Sequence, residues 1–291
     1  MALRQNKIAP LIPPAQPRLP AATPEYDPNY QNQLNNVLRL YFNQLDNYNR
    51  LFASPTGGAF LQFPNGAFHQ NGYSTLTAAM TNVSTTPIQV VSTTGFLSAG
   101  ALLIGTELIQ YTGKTSTTFT GITRGAYGTS NAAHSIGDYI SEAQPVVSPT
   151  TPLAISMTTT DTSNSVYIDP ANLSRVYFSV SGYYNIAFSA QLLQFTTSDD
   201  NVTFWNRLNG VDLDNSAGIT TVPSKHGSSP GTALVAWNFV QPINAGDYVE
   251  LIMSSDSGNT VCATYPPGSS PTHPASPSVI LTATFVSALY P

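Results

Sequence analysis

The chain has 291 residues, of which 9% are charged, 41% hydrophobic and 10% aromatic, with a net charge of -5 and one cysteine. This balance excludes the basic surface that a nucleic-acid partner requires, and leaves Cys262 without an intrachain disulfide partner. It still supplies enough apolar material for packed cores, and the length suffices for two β domains.

Residues 1–24 contain six prolines and little that could pack, which predicts an extended arm that orders only against a partner. The prolines also interrupt any apolar run of signal-peptide length, and no later segment approaches the roughly 20 apolar residues that span a bilayer. Synthesis in the cytosol without membrane insertion is the expectation. Residues 25–53 carry the one long helical pattern. Asp27 is placed as its N-cap with Pro28 at the first helical position, where a missing N–H costs nothing. Leu34, Leu38, Tyr41, Leu45, Tyr48 and Phe52 follow the heptad spacing of a helix seam. Tyr30, Val37, Phe42 and Leu51 flank it and make the apolar stripe wider than a two-stranded seam needs. An attachment helix that self-associates as a trimer, or lies in a groove, is expected.

Residues 54–76, punctuated by Gly and Pro, read as an ordered but irregular linker. Residues 77–143 hold short apolar runs, TPIQVVS, ALLIG, ELIQYTG, TTFTGITR and DYISEA, and read as a small inserted β domain. After the connector QPVVSPTTP, residues 150–291 read as strands to the end. GYYNIAFSAQLLQF puts Tyr184, Ile186, Phe188, Ala190 and Leu192 on one face, and Asn-Gly in TFWNRLNGVDL marks a hairpin. The fold class expected is all-β with one N-terminal α-helix, the small β domain preceding a C-terminal antiparallel jelly-roll β-sandwich. The connector predicts that a fragment from about Thr150 folds and trimerises alone.

Candidate chemistry is sparse. His69, His134, His226 and His273 are dispersed without zinc spacing, and no nucleophile, phosphate or dinucleotide motif occurs. Asp199, Asp200, Asp212 and Asp214 are weighed as calcium ligands and Glu107, Glu142 and Glu250 as a glycan-cleaving pair, and solvated loops and lone strand carboxylates account for both. The reading is therefore no enzyme, no metal and no cofactor. Arg124 in GITRGAYG is read as satisfying the carbonyls of the turns around it. Lys225, His226 and His273, on loops built from Pro, Gly and Ser, are the candidate surface-recognition residues.

In GYYNIAFSAQLL, INAGDYVELIM and VILTATFVSAL, residues 150–291 resemble the trimeric jelly rolls of the complement and tumour-necrosis-factor type, in which the last strand lies beside the trimer axis. YDPNYQNQLNNVLRLYFNQLDN, LQFPNGAFHQNGYSTLTAA, VPSKHGSSPGTALVAWNF and SPTHPASPSVILTATFVSAL resemble virion proteins of tailed bacteriophages of cyanobacterial and marine hosts. IQYTGKTSTTFTGITRGAYGTSNAAHSIGDYI is similar to a small β module of phage tail and baseplate proteins. The resemblance implies a homotrimeric, non-enzymatic virion part, assembled in the bacterial cytoplasm and bound to capsid, neck or tail. Two roles stay open. One is a fibre or appendage whose distal jelly roll meets a host receptor or surface glycan; the other is a capsid decoration or cement protein.

Overall fold

The computed structural model describes residues 14–21, 24–53, 63–269 and 271–289, with helix side chains described as far as Asn49. The chain divides into two units, Met1–Phe63 and Pro64–Pro291.

In the first unit, residues 14–21 have no regular structure, and residues 1–13, 22 and 23 of the expected arm lie outside the described residues. A single helix runs Pro28–Ala53. Asp27 caps it as expected: its carboxylate accepts the Asn29 amide at 2.8 Å and its carbonyl the Gln31 amide at 3.1 Å. Phe52 falls in the last turn, where the side chains lie outside the described residues.

The second unit is an all-β sandwich of jelly-roll type with an added β module. Its hub is the 13-residue strand Gly182–Gln194. One edge of that strand pairs along its whole length with Gly231–Ile243. The other edge is shared, by Val279–Ser287 against residues 183–190 and by Thr260–Ala263 against residues 192–194. The second sheet is built from Val166–Asp169, Asn172–Phe178, Tyr248–Ser255 and Asp200–Leu208, with Gly218–Val222 on its edge. The predicted alternation holds. Tyr184, Ile186, Phe188, Ala190 and Leu192 point into the core, where they meet Val176, Phe178, Phe204, Leu251 and Met253 of the facing sheet. The Asn-Gly hairpin also forms, with Asn209 and Gly210 at φ 51° and 83°, as a two-residue turn of this type demands.

Two expectations need correction. Residues 54–62 of the expected linker lie outside the described residues, but the remainder is not irregular. Asn65–Gln70 is a strand, paired with Thr159–Asn164 on one side and touching Val279 on the other, and its Phe68 is fully buried in the jelly-roll core. Gly and Pro mask its alternation in the sequence, yet Gly66, Phe68 and Gln70 all face inward. The second correction concerns the boundary near residue 150. Tyr139–Pro145 pairs with Gly100–Ile104 of the module and also with Thr260–Ala263 of the jelly roll, so one ten-stranded sheet runs through both. Val146, within the supposed connector, is fully buried in the jelly-roll core.

The module has its own core of Leu76, Ile88, Val90, Phe96, Leu102, Ile109, Tyr111 and Phe119. A second cluster, Ala101, Leu103, Leu108, Ala143, Leu193, Val261 and Ala263, contains residues of both parts. Polar side chains are buried at the same seam. Gln70 donates to the Gly95 carbonyl at 2.9 Å and accepts from Thr158 Oγ1 at 2.6 Å; Gln144 exchanges two hydrogen bonds with the Ser156 backbone. Burying these groups without partners would cost about 1–3 kcal/mol each, so the seam cannot be opened freely.

A fragment of residues 64–291 should accordingly fold as a single cooperative unit, whereas residues 150–291 alone should be insoluble, or should melt without a cooperative transition. Expression of both fragments followed by calorimetry checks this; a soluble, cooperatively melting 150–291 fragment would restore the boundary.

Candidate functional site

The module is organised around a buried carboxylate. Glu107 opens the strand Glu107–Tyr111 and is 1% exposed. Five donors converge on it. Arg124 Nε and Nη2 reach its two oxygens at 2.7 and 2.8 Å, the Gly125 and Ala132 amides at 3.0 Å each, and His134 Nε2 at 2.8 Å. An ionised carboxylate only accepts, so His134 carries a proton on Nε2. Gly125 has φ 56°, and a Cβ there would meet Asn131 Oδ1 at 2.1 Å, so only glycine delivers this amide to Glu107.

The rest of the Arg124 guanidinium donates to the carbonyls of Thr81, Ser84 and Ala132. This is the turn-fixing role read from the sequence, with a carboxylate partner that the sequence reading did not pair with it. Burial pushes the Glu107 carboxyl upward, but the Arg124, Ala132, His134 and Gly125 hydrogen bonds outweigh it and hold the group down at about 2, from 4.5. The arrangement anchors three loops; every donor is engaged within the module.

The other carboxylates are not gathered with it. Glu250 lies on Tyr248–Ser255, where it accepts from Ser174 Oγ at 2.8 Å and faces Arg175. Glu142 is fully buried and bonded to Tyr111 and the Leu97 amide. Asp200 accepts from Ser255, Thr260 and the Ser257 amide, Asp199 from the Ser224 amide, and Asp212 from Trp205 and Arg207. No group of three or more His, Cys, Asp or Glu side chains forms a candidate metal site among the described residues. Cys262 is buried in the jelly-roll core, where burial pushes its thiol up to about 12.

The three candidate recognition residues separate. Lys225 is exposed and lines a cleft of about 210 Å³ with Phe195, Ser228, Thr106, Thr129 and Ser130, the last three from the module. His226 is exposed in the turn that its backbone closes with Ser229. His273 belongs to a separate two-strand hairpin, with Nδ1 2.8 Å from the Pro274 carbonyl and its ring over Gly268, where a Cβ would lie 2.2 Å from Nε2. Its ring is committed to its own hairpin.

In the helix, Leu34, Leu38, Tyr41 and Leu45 are half-buried, and none of the side chains from Tyr30 to Asn49 is buried. Phe42 and Leu40 are 58% and 53% exposed. No helix among the described residues is long and apolar enough to cross a membrane.

The sandwich presents two unlike outer faces. On the second sheet, Arg207 and Asp212 pair at 2.7 Å and Arg175 lies over the Tyr248 ring. On the first, the strands Gly182–Gln194, Gly231–Ile243 and Val279–Ser287 contain no charged residue at all. Their outward positions include Tyr183, Asn185, Ala187, Ala236, Asn238 and Thr282, with Leu234, Val240 and Val286 exposed by 65%, 61% and 57%. The alternation in the sequence marks the inward side of the hub strand, and the uncharged outward side across three strands is written in the same segments.

No protein-family model matches the chain, and no curated protein matches it. Among solved structures it is similar to Eiger TNF from S. frugiperda, at 11% identity over 48% of this chain and 88% of that one, with a TM-score of 0.31.

Arg124→Ala should destabilise the fold by roughly 3–5 kcal/mol, because it strands a buried carboxylate. Glu107 is depressed below its unfolded value, so its contribution is complete above about 4.5 and is lost as pH falls from there toward about 2. Denaturant titrations at several acidic pH values should show a steep stability loss in the native chain and a much shallower one in Glu107→Gln.

Proposed function

We propose that this protein is a non-enzymatic structural subunit of a bacteriophage particle, a homotrimer anchored through its Pro-rich arm and helix. The observation that carries the trimer is the charge-free outer face of three adjacent strands. An isolated chain would leave this broad apolar and uncharged polar surface in water, where such patches mark association sites. Identical copies closing around an axis bury it without desolvating a charge. The helix supports the same assembly, since its seam and flanking apolar residues exceed what two strands of a coiled coil cover. The virion assignment rests on the sequence resemblance and on residues 1–24, whose six prolines suit an arm that lies along a partner.

In this reading the favoured role is an appendage whose jelly roll meets the host surface, with the cleft beside the exposed Lys225 as a polar recess it could present. The cement reading shares the trimer and is favoured by the arm, because stapling neighbouring subunits requires reach. Immunogold labelling of purified particles separates the two.

Light scattering of the purified chain should give three times the chain mass, and Ala187→Glu combined with Leu234→Lys should reduce it to folded monomers. Deleting residues 1–24 should leave the trimer intact while particle incorporation falls by at least about tenfold, since the arm gains contacts only on a partner. A native chain that is monomeric at micromolar concentration would overturn the assembly, and normal incorporation of the deletion would overturn the anchor.

A further inference from the structure

Glu142 lies at the seam of the shared sheet, 0% exposed. Its backbone ties three segments together: its amide donates to the Gly72 carbonyl at 2.7 Å, and its carbonyl accepts from the Thr264 amide at 3.1 Å. Its side chain is in a different position from that of Glu107. Tyr111 Oη stands 2.9 Å from Glu142 Oε2 and 2.9 Å from the Leu97 carbonyl, two acceptors for one hydroxyl proton. The Leu97 amide donates to the same Oε2 at 3.1 Å. Oε1 is buried without a hydrogen-bond partner. Gly100 packs so closely on it that a Cβ there would lie 2.9 Å away, which leaves no room for a bridging group from that strand.

An ionised carboxylate cannot satisfy this geometry. It would set Oε2 against the Leu97 carbonyl in competition for the single Tyr111 hydrogen, and would leave a charged oxygen unpaired in the core. One added proton removes the conflict: Oε2–H donates to Tyr111 Oη, whose own hydrogen goes to the Leu97 carbonyl. We infer that Glu142 holds a proton at neutral pH, and that losing it under alkaline conditions turns the Tyr111 hydroxyl from the Leu97 carbonyl to the carboxylate.

The surroundings agree with this. Tyr111 and Lys114 are the titratable groups acting on the carboxyl among the described residues. Lys114 Nζ spends hydrogen bonds on the Thr93 and Phe96 carbonyls, at 2.9 and 2.5 Å, and so pins the same turn. The strand Gly100–Ile104 meets the carboxyl with Gly100, and residues 72 and 264 meet Glu142 through backbone. Burial pushes the carboxyl up to about 8, against the lowering pulls of Tyr111, the Leu97 amide and Lys114. Because the folded value lies above the unfolded 4.5, the stability this group contributes is complete below about 4.5 and is lost as pH rises through about 8.

Carbon-13 NMR of the side-chain carboxyls in the full chain tests the proton directly. The Glu142 signal should titrate with a midpoint near 8, and the Leu97 carbonyl carbon should shift with the same midpoint as it loses the Tyr111 hydrogen bond, while the Gly125 and Ala132 carbonyls should not. In Glu142→Gln the Leu97 carbonyl shift should disappear. A midpoint in the ordinary carboxylate range, below about 5, would overturn the protonated state. A midpoint near 8 with an unmoved Leu97 carbonyl would overturn the turn of the Tyr111 hydroxyl. Both readings use the native chain, so they stand even where the glutamine variant fails to fold.

Discussion

The backbone pairing of Tyr139–Pro145 with Thr260–Ala263 is the constraint on which the rest of the second unit depends. Through it the module strand Gly100–Ile104 and the jelly-roll hub Gly182–Gln194 belong to one sheet. A pairing of three residues would be a weak joint by itself. It is made firm by what it buries: Leu193, Val261, Ala143, Leu103 and Leu108 close an apolar cluster on one face, and Gln70, Gln144 and Glu142 form a hydrogen-bonded seam beside it. The module is held as an extension of the sandwich, and the cleft beside Lys225 exists because that extension brings Thr106 and Ser130 opposite the 223–230 loop.

Two buried glutamates in the module show how donor count decides the state of a carboxylate. Glu107 receives five donors, two of them from one bidentate guanidinium, and remains ionised against its desolvation. Glu142, at least as buried, has a phenol shared with a carbonyl and one amide, and burial prevails. The first carboxylate fixes loops at neutral pH through its charge. The second keeps its place in the sheet by being neutral.

Much of this fold was legible in the sequence wherever the determining contact is local. The Asp27 cap, the Asn209-Gly210 turn and the alternation from Tyr184 to Leu192 are set by residues within a few positions or by strand periodicity, whereas the loop-fixing use of Arg124 was read from its five donors although the carbonyls it holds lie as far away as Thr81. What was missed is set at long range. Asn65–Gln70 is a strand because Asn164 and Val279 lie beside it, and its two inward glycine and glutamine positions carry no apolar signal. The partnership of Glu107 with Arg124 spans 17 positions, and its trace in the sequence is a lone carboxylate heading an apolar strand.

The charge-free face and the buried seam lie on the same sheet, so the proposed assembly and the folding of the chain draw on one structural element. If that sheet is one cooperative unit, native-state hydrogen exchange in denaturant resolves it without any mutation. Amides of Leu102 and Ala143 in the module, and of Phe188 and Leu281 in the jelly roll, should open with the same free energy and the same denaturant dependence. Module amides that open in a separate transition, at lower free energy and with a smaller denaturant slope, would contradict the shared sheet as the organising constraint.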